Sequence, residues 1–172
     1  MKNKWPGIMK VLEFQHLSAD GKVLYEEKNV FNTLHTTGEE YILTRLFQGL
    51  LVPASYFLGL DNRSTINISD TMSTIAINGE PSVNSYERQL VASTDFSLAI
   101  NEDGNNQANS PHVTFRALGG SWGPVRNIFM SNESAFDGLL ISSAALFEQI
   151  TVQDGEIVSM RMGMALRDCP PT

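Results

Sequence analysis

The feature that most constrains this fold is a strict two-residue alternation near the C-terminal end of the sequence. In segment 157–166 (IVSMRMGMAL) every even position is Val, Met or Leu, whereas the odd positions include Ser, Arg and Gly. Successive side chains of a β-strand point to opposite faces, so this pattern predicts a strand with one face in a core. Methionine-rich surfaces also adapt to varied partners, but the flanking Val158 and Leu166 favour a core face for Met160, Met162 and Met164.

Shorter patterns of the same kind occur along most of the chain. Segments 9–17 and 22–25 lie on either side of Asp20-Gly21, and this arrangement predicts a β-hairpin. Further strands are expected at 56–60, 86–91, 96–100, 113–118 and 125–130, and segment 139–147 fits a buried strand or a short helix. The polar tract 101–110 (NEDGNNQANS) is expected to be an exposed loop.

Only one segment predicts a helix of several turns. Apolar residues recur at helical spacing from Ile42 to Leu50, Thr36 or Thr37 can begin a capping box, and Gly49 can end the helix. Segment 69–71 can cap a further short helical turn. A parallel α/β fold would need a helix after most strands, so we expect a mainly β chain, an antiparallel β-sandwich resembling a jelly roll, with one helix near residues 37–48.

Size and charge limit the organisation and the partners. The chain has 172 residues, of which 42% are hydrophobic, which predicts a single domain at 11–168 with an N-terminal arm at 1–10 and a C-terminal tail at 169–172. A net charge of −7 argues against binding to nucleic acid. No secretion signal or membrane-spanning segment is evident, because the most apolar window, 50–60, is about half the length of a membrane-spanning helix.

Residue types that carry catalysis occur in the sequence without the motifs that catalysis needs. His16, His35 and His112 are not spaced as metal ligands, neither a nucleophile elbow nor a phosphate-binding glycine motif occurs, and Cys169 stands beside two prolines. Segment 101–105 offers oxygen ligands but lacks the order of a calcium loop, which leaves a weak Ca²⁺ site and a plain solvated loop both open. We therefore expect a protein that is not an enzyme and that uses no cofactor and no metal.

The two tryptophans are the candidate residues of a partner interface. Trp5, which precedes Pro6, and Trp122 both lie in segments rich in Pro or Gly, where aromatic side chains are often covered by a partner. A tryptophan that folds back on its own domain is an equally good interpretation of each. The sequence therefore predicts an interface at Trp5, Pro6 and Trp122 and leaves the intramolecular alternative open.

A series of short motifs resembles, in the same order over nearly the whole chain, a group of small structural proteins from tailed-bacteriophage virions. These motifs are Asn32-Thr33, Gly38, Ile42-Leu43, Leu46-Phe47-x-Gly49, Pro53-x-x-Tyr56-Phe57-Leu58-Gly59-Leu60, Ser69-Asp70-Thr71-Met72, Gly79-Glu80-Pro81, Tyr86-x-Arg88 and the Gly119–Pro124 link that contains Trp122. The resemblance supplies no catalytic residues to assign to this sequence.

The resemblance implies a non-enzymatic β-sandwich protein of the virus particle. The first expectation is a capsid cement (decoration) protein, made in the host cytoplasm and located on the capsid surface of the virion. Its partners would be the major capsid protein and copies of itself in a homotrimer, with no nucleic acid and no membrane. A tail or baseplate subunit is the second expectation. Apart from the resemblance, exposed Trp and Tyr side chains can stack on sugars, so a carbohydrate-binding β-sandwich module is the alternative from another class.

Overall fold

The structure, a computed structural model, describes residues 7–134 and 137–166 and is mainly β, with 49% of residues in strands and 13% in helices. The strands are β1 (Gly7–Leu17), β2 (Val23–Leu34), β3 (Ser55–Asp61), β4 (Gln89–Ala92), β5 (Ser97–Ile100), β6 (Asn106–Asn109), β7 (Val113–Arg116), β8 (Trp122–Ser131), β9 (Leu140–Val152) and β10 (Ile157–Leu166). The helices are α1 (Thr36–Phe47) and α2 (Met72–Asn78), with a 3₁₀ turn at Ser93–Asp95.

All of the strands pair antiparallel in one curled sheet, as predicted for the strand direction. Their order is β4-β3-β8-β9-β2-β1-β10-β6-β5, and β7 also pairs with β10. Strand β2 joins the two halves, because its first part pairs with β1 up to Phe31 and its last part, Asn32 to Leu34, pairs with β9. The sheet is therefore a half-barrel, and the expected pair of separate sandwich sheets is not found.

The predicted alternation of β10 builds one side of the core. Val158, Met160 and Met162 are fully buried, whereas Met164 is partly exposed. They pack in one cluster with side chains from the other half of the sheet, including Leu58 and Ile128. The core therefore fills the concave side of the curled sheet.

Helix α1 confirms the predicted helix and packs directly on β9. A Cβ atom at Gly38 would lie 2.1 Å from the carbonyl oxygen of Ile141, so glycine is what allows the helix to approach the strand this closely. The predicted capping box does not form, because the N-cap residue is His35. The Thr37 hydroxyl donates instead to the carbonyl oxygen of Leu140 at 2.6 Å.

Other local predictions are confirmed where short-range patterns were strong. The hairpin forms from β1 and β2, and the short helix α2 begins after its N-cap residue Thr71. Segment 139–147, which fitted a strand or a helix, lies almost entirely in β9.

Strand β1 begins at Gly7, opposite Leu166, so the last four residues of the segment assigned to an arm belong to the sheet. Residues 1–6 and 169–172 lie outside the described residues.

The prediction of a loop at 101–110 is wrong for its second half. Residues 106–109 form β6, which pairs with both β5 and β10. The buried side chain of Gln107 donates through Nε2 to Oδ1 of Asn109 at 2.5 Å, above Gly163 of β10. Two amide groups that satisfy each other can be buried in a strand, which explains why polarity alone did not identify it.

Within the described ranges, no helix is both long and apolar enough to cross a membrane.

Candidate functional site

An apolar cavity lies between α1 and the curled sheet, and we call it the α1 cavity. Its volume is about 290 Å³, and its lining residues are Tyr41, Ile42, Arg45, Leu46, Val52, Tyr56, Ser93, Phe96, Ala108, Met130, Ile141, Met162, Gly163 and Met164. Met130, Ile141 and Met162 are buried and form its floor. Leu46, Val52 and Met164 are exposed and form its mouth. The cavity is thus an opening from the surface into the main core.

Three polar side chains stand at one wall of this cavity. The guanidinium carbon of Arg45 lies 4.9 Å from the centre of the Tyr41 ring, a cation–π arrangement. The Tyr41 hydroxyl donates to the Tyr56 hydroxyl at 3.4 Å. Arg45 also donates through Nη1 to the carbonyl oxygen of Leu51. These contacts place a positive charge and two hydroxyl groups beside a space that is otherwise lined mostly by apolar atoms.

This polar wall has more hydrogen-bond donors than acceptors. Nε of Arg45 is buried and has no hydrogen-bond partner among the described residues. The Tyr56 hydroxyl accepts from the Tyr41 hydroxyl. Burial, together with the neighbouring Tyr56 hydroxyl, raises the pKa of Tyr41, and the nearby charge of Arg45 opposes this increase. Tyr41 therefore stays neutral and remains a donor at physiological pH.

A surface of exposed apolar side chains continues outward from the mouth, and we call it the apolar rim. It consists of Leu46, Phe47, Leu50, Leu51 and Val52. Phe47 is 77% exposed and Leu51 is 87% exposed. The rim arises because α1 ends at Phe47 and Gly49 turns the chain with a φ of +69°. The next five residues include no charged side chain, and the chain then enters β3.

The structure shows that Trp122 packs on its own domain, whereas it does not describe Trp5. Trp122 is the first residue of β8, is 3% exposed and packs edge-to-face on Tyr86 with the ring centres 5.5 Å apart. Its Nε1 donates to the carbonyl oxygens of Val83 and Asn84 at 3.0 and 3.1 Å. Of the two interpretations left open for Trp122, the intramolecular one is found, since the indole folds back on its own domain and belongs to the core. Trp5 and Pro6 lie outside the described residues.

His35 and Ser143 form a pair that looks like part of a nucleophilic site. Nε2 of His35 lies 2.6 Å from the Ser143 hydroxyl oxygen, and Nδ1 lies 3.3 Å from the carbonyl oxygen of Ile68. Both side chains are fully buried, and neither lines the α1 cavity. Burial lowers the pKa of His35, which keeps the ring neutral. This pair joins α1 to β9 and has no access to a substrate.

Each of the other two histidines lies close to a carboxylate side chain. Nε2 of His16 lies 2.7 Å from a carboxylate oxygen of Glu156, which joins the end of β1 to the start of β10. His112 is half exposed and lies 3.7 Å from Glu13. Neither contact is part of a larger titratable cluster: within the described ranges, no three His, Cys, Asp or Glu side chains are grouped as metal ligands.

The polar segment 101–105 is a turn closed by its own hydrogen bonds. Oδ1 of Asn101 accepts from the backbone N–H groups of Asp103 and Asn105 at 3.0 and 2.9 Å. Oδ1 of Asn101 is therefore already an acceptor for the turn.

Sequence reasoning did not identify Arg45, Tyr41 or Tyr56 as site residues. One signal was present, because Arg45 is the only charged residue between positions 41 and 60. A single charge inside a long apolar stretch indicates either a partner or a function for that charge. What the sequence does not contain is the cavity itself, since β6, β8, β9 and β10 supply most of the opposite wall.

Comparison with known proteins adds no assignment: the sequence matches no protein-family model, and no curated protein matches it.

Proposed function

We propose that this chain is a non-enzymatic structural protein of a tailed-bacteriophage virion, most simply a capsid cement protein on the capsid surface. The resemblance of its motifs to small virion proteins is one support. The apolar rim is the observation that carries the proposal. A protein that works by contact needs a surface whose burial against a neighbour lowers the free energy of the assembly.

The apolar rim has the properties of such a contact surface. Single exposed apolar residues are normal on proteins, but five of them within seven positions, beside an open apolar cavity, form a contiguous patch. Aromatic and apolar side chains are typical of the centre of protein interfaces, where charged residues are depleted. Phe47 and Leu51 are the expected anchors, because they are the most exposed members of the rim.

In this proposal each copy covers its rim against the major capsid protein or against another copy in a homotrimer. The symmetry of a shell repeats this modest gain at every site. A net charge of −7 suits a position on the outside of the particle, away from packaged DNA.

The test is binding to purified empty phage heads that lack this protein, measured by co-sedimentation. The double variant Phe47→Glu/Leu51→Glu places two charges in the apolar rim, and we expect its affinity to fall by roughly a hundredfold. Phe147→Glu is the matched control, because Phe147 is 90% exposed in β9 and does not belong to the rim. Equal binding by the rim variant and the parent would refute the proposal.

The same preparation separates the remaining alternatives. Binding to tails and not to heads would replace the cement role with that of a tail or baseplate subunit. The carbohydrate-binding hypothesis depended on exposed tryptophans, and it loses Trp122 because that indole is buried.

A further inference from the structure

We propose that the α1 cavity binds a small amphipathic monocarboxylate, with the apolar chain in the cavity and the carboxylate at Arg45. This proposal does not depend on the role of the protein in a virion. It uses the interior of the cavity, whereas the proposed function uses the apolar rim, which shares only Leu46 and Val52 with the cavity mouth.

The space fits one short apolar chain. Apolar cavities in proteins stay dry, and one of about 150 Å³ already binds benzene. Pockets for drug-sized ligands begin at about 300 Å³. The α1 cavity, at about 290 Å³, lies near the lower limit of that range, and its floor of Met130, Ile141 and Met162 consists of flexible or branched apolar side chains. A single alkyl chain matches both its volume and its lining.

The polar wall selects the head group. Arg45 is the one charged residue of the cavity lining, and the hydroxyl groups of Tyr41 and Tyr56 belong to the same lining. The lining residues include no Asp or Glu, so the charge of Arg45 is not neutralised inside the cavity. A carboxylate supplies acceptors and the opposite charge together, and hydrogen bonds between charged groups are about twice as strong as neutral ones. A cationic head group would meet a positive charge and no carboxylate of the lining.

The position of Arg45 also sets the orientation of the ligand. Its guanidinium is held between the Tyr41 ring and the carbonyl oxygen of Leu51, a residue that is almost fully exposed. Because this contact lies at the mouth, the carboxylate is expected near the surface. The chain then runs inward toward Met130 and Met162, and the head group loses little of its hydration.

The test is titration calorimetry of the full chain with decanoate, kept below its micelle concentration. Decan-1-ol and decyltrimethylammonium carry the same chain with a neutral and a cationic head. We expect decanoate to bind with one site per chain, and each of the other two to bind roughly tenfold or more weakly. No binding of decanoate, or equal binding of decyltrimethylammonium, would overturn the proposal.

Two variants locate the site. Arg45→Met keeps an apolar stem and removes the charge, and it is expected to weaken decanoate roughly tenfold or more while leaving decan-1-ol unchanged. Arg116→Met is the matched control, because Arg116 lies exposed on β7 outside the cavity. If Arg45→Met binds decanoate like the parent, the head group is not at Arg45 and the proposal is wrong. If the single variant Phe47→Glu, which changes a rim residue outside the cavity lining, loses head binding but keeps decanoate, the rim and the interior of the cavity are separate sites, as proposed.

Discussion

Arg88 and Arg45 have similar aromatic neighbours, but their guanidinium groups differ in how fully they are hydrogen-bonded. Each guanidinium lies against an aromatic ring, that of Arg88 at 5.5 Å from Phe129 and that of Arg45 at 4.9 Å from Tyr41. Arg88 donates through Nε and Nη2 to the two carboxylate oxygens of Glu80 at 2.7 and 2.6 Å. Arg45 has a backbone carbonyl as its acceptor, and its buried Nε has no partner within the part of the chain that the structure describes.

The polar side chains around Arg88 form a cluster in which the donors are hydrogen-bonded. The Tyr86 hydroxyl donates to Glu80 at 2.9 Å and accepts the backbone N–H of Leu60 at 2.8 Å. Arg88 also donates to the carbonyl oxygen of Ser134 at 2.8 Å. Every strong donor there has an acceptor within the same chain. The Arg88 cluster therefore stabilises the fold, whereas the polar wall at Arg45 keeps a buried donor that has no partner among the described residues.

Among the changes that test this comparison, Arg88→Met is expected to lower the free energy of unfolding the most. The side chains of Arg88 and Glu80 are only 6% and 8% exposed, so the variant leaves a buried carboxylate without its cation. Breaking a buried pair in this way lowers the free energy of unfolding by about 3–5 kcal/mol. Urea unfolding measures the loss. Lys28→Met is the control, because its ion pair with Glu26 is exposed and is worth about 1 kcal/mol or less. Equal losses for the two variants would contradict the structural role of the cluster.

A smaller loss of stability is expected from the protonation of His35, which is a buried residue of the core. Burial lowers its pKa in the folded state, so the unfolded chain takes up this proton first as the pH falls. The stabilisation is present above the ordinary pKa of about 6.5 and is lost as the pH falls through that value toward the lower folded pKa. The midpoint of urea unfolding should therefore decrease between about pH 7 and pH 5.

The control for this titration is His35→Gln, which keeps a polar side chain and removes the titrating ring. We expect the variant to be less stable at pH 7 and to show a shallower pH dependence. If parent and variant lose stability in parallel as the pH falls, then His35 does not carry the effect.

The smallest effect on stability is expected from Arg45→Met. The variant removes the contact with the carbonyl oxygen of the exposed Leu51 and the cation–π contact with the Tyr41 ring. It also removes a buried donor that has no partner among the described residues. These changes oppose each other, so the free energy of unfolding should stay within about 1 kcal/mol of the parent. Urea unfolding under the conditions used for Arg88→Met makes the comparison direct. A loss as large as that of Arg88→Met would show that Arg45 holds the fold together.

Local patterns were sufficient for the parts of the fold that depend on neighbours in sequence. The alternation of β10, the Asp20-Gly21 hairpin and helix α1 are set by side-chain period and turn chemistry within short segments. Strand β6 was missed because its burial depends on a side-chain pair, Gln107 with Asn109, and on the remote Gly163. The half-barrel was missed for a similar reason, since it arises from the way that β2 continues from β1 onto β9.

The site was harder to predict than the fold. Trp122 stood in a Gly- and Pro-rich segment that indicated exposure, but β8 and Tyr86 enclose it. Arg45 was visible as a lone charge in an apolar stretch, but the missing acceptor at its Nε is a property of the assembled cavity. Absence of a partner is decided by tertiary structure, and no sequence pattern encodes it.

The central claim is that the α1 cavity binds the apolar chain of a small monocarboxylate. Methionine methyl NMR tests this claim most directly. Met130, Met162 and Met164 line the cavity, whereas Met72 and Met160 are buried outside its lining. On titration with decanoate, the account predicts that the methyl signals of the three lining residues shift and saturate together, while those of Met72 and Met160 stay in place. Unchanged signals from Met130 and Met162 at saturating decanoate would contradict it.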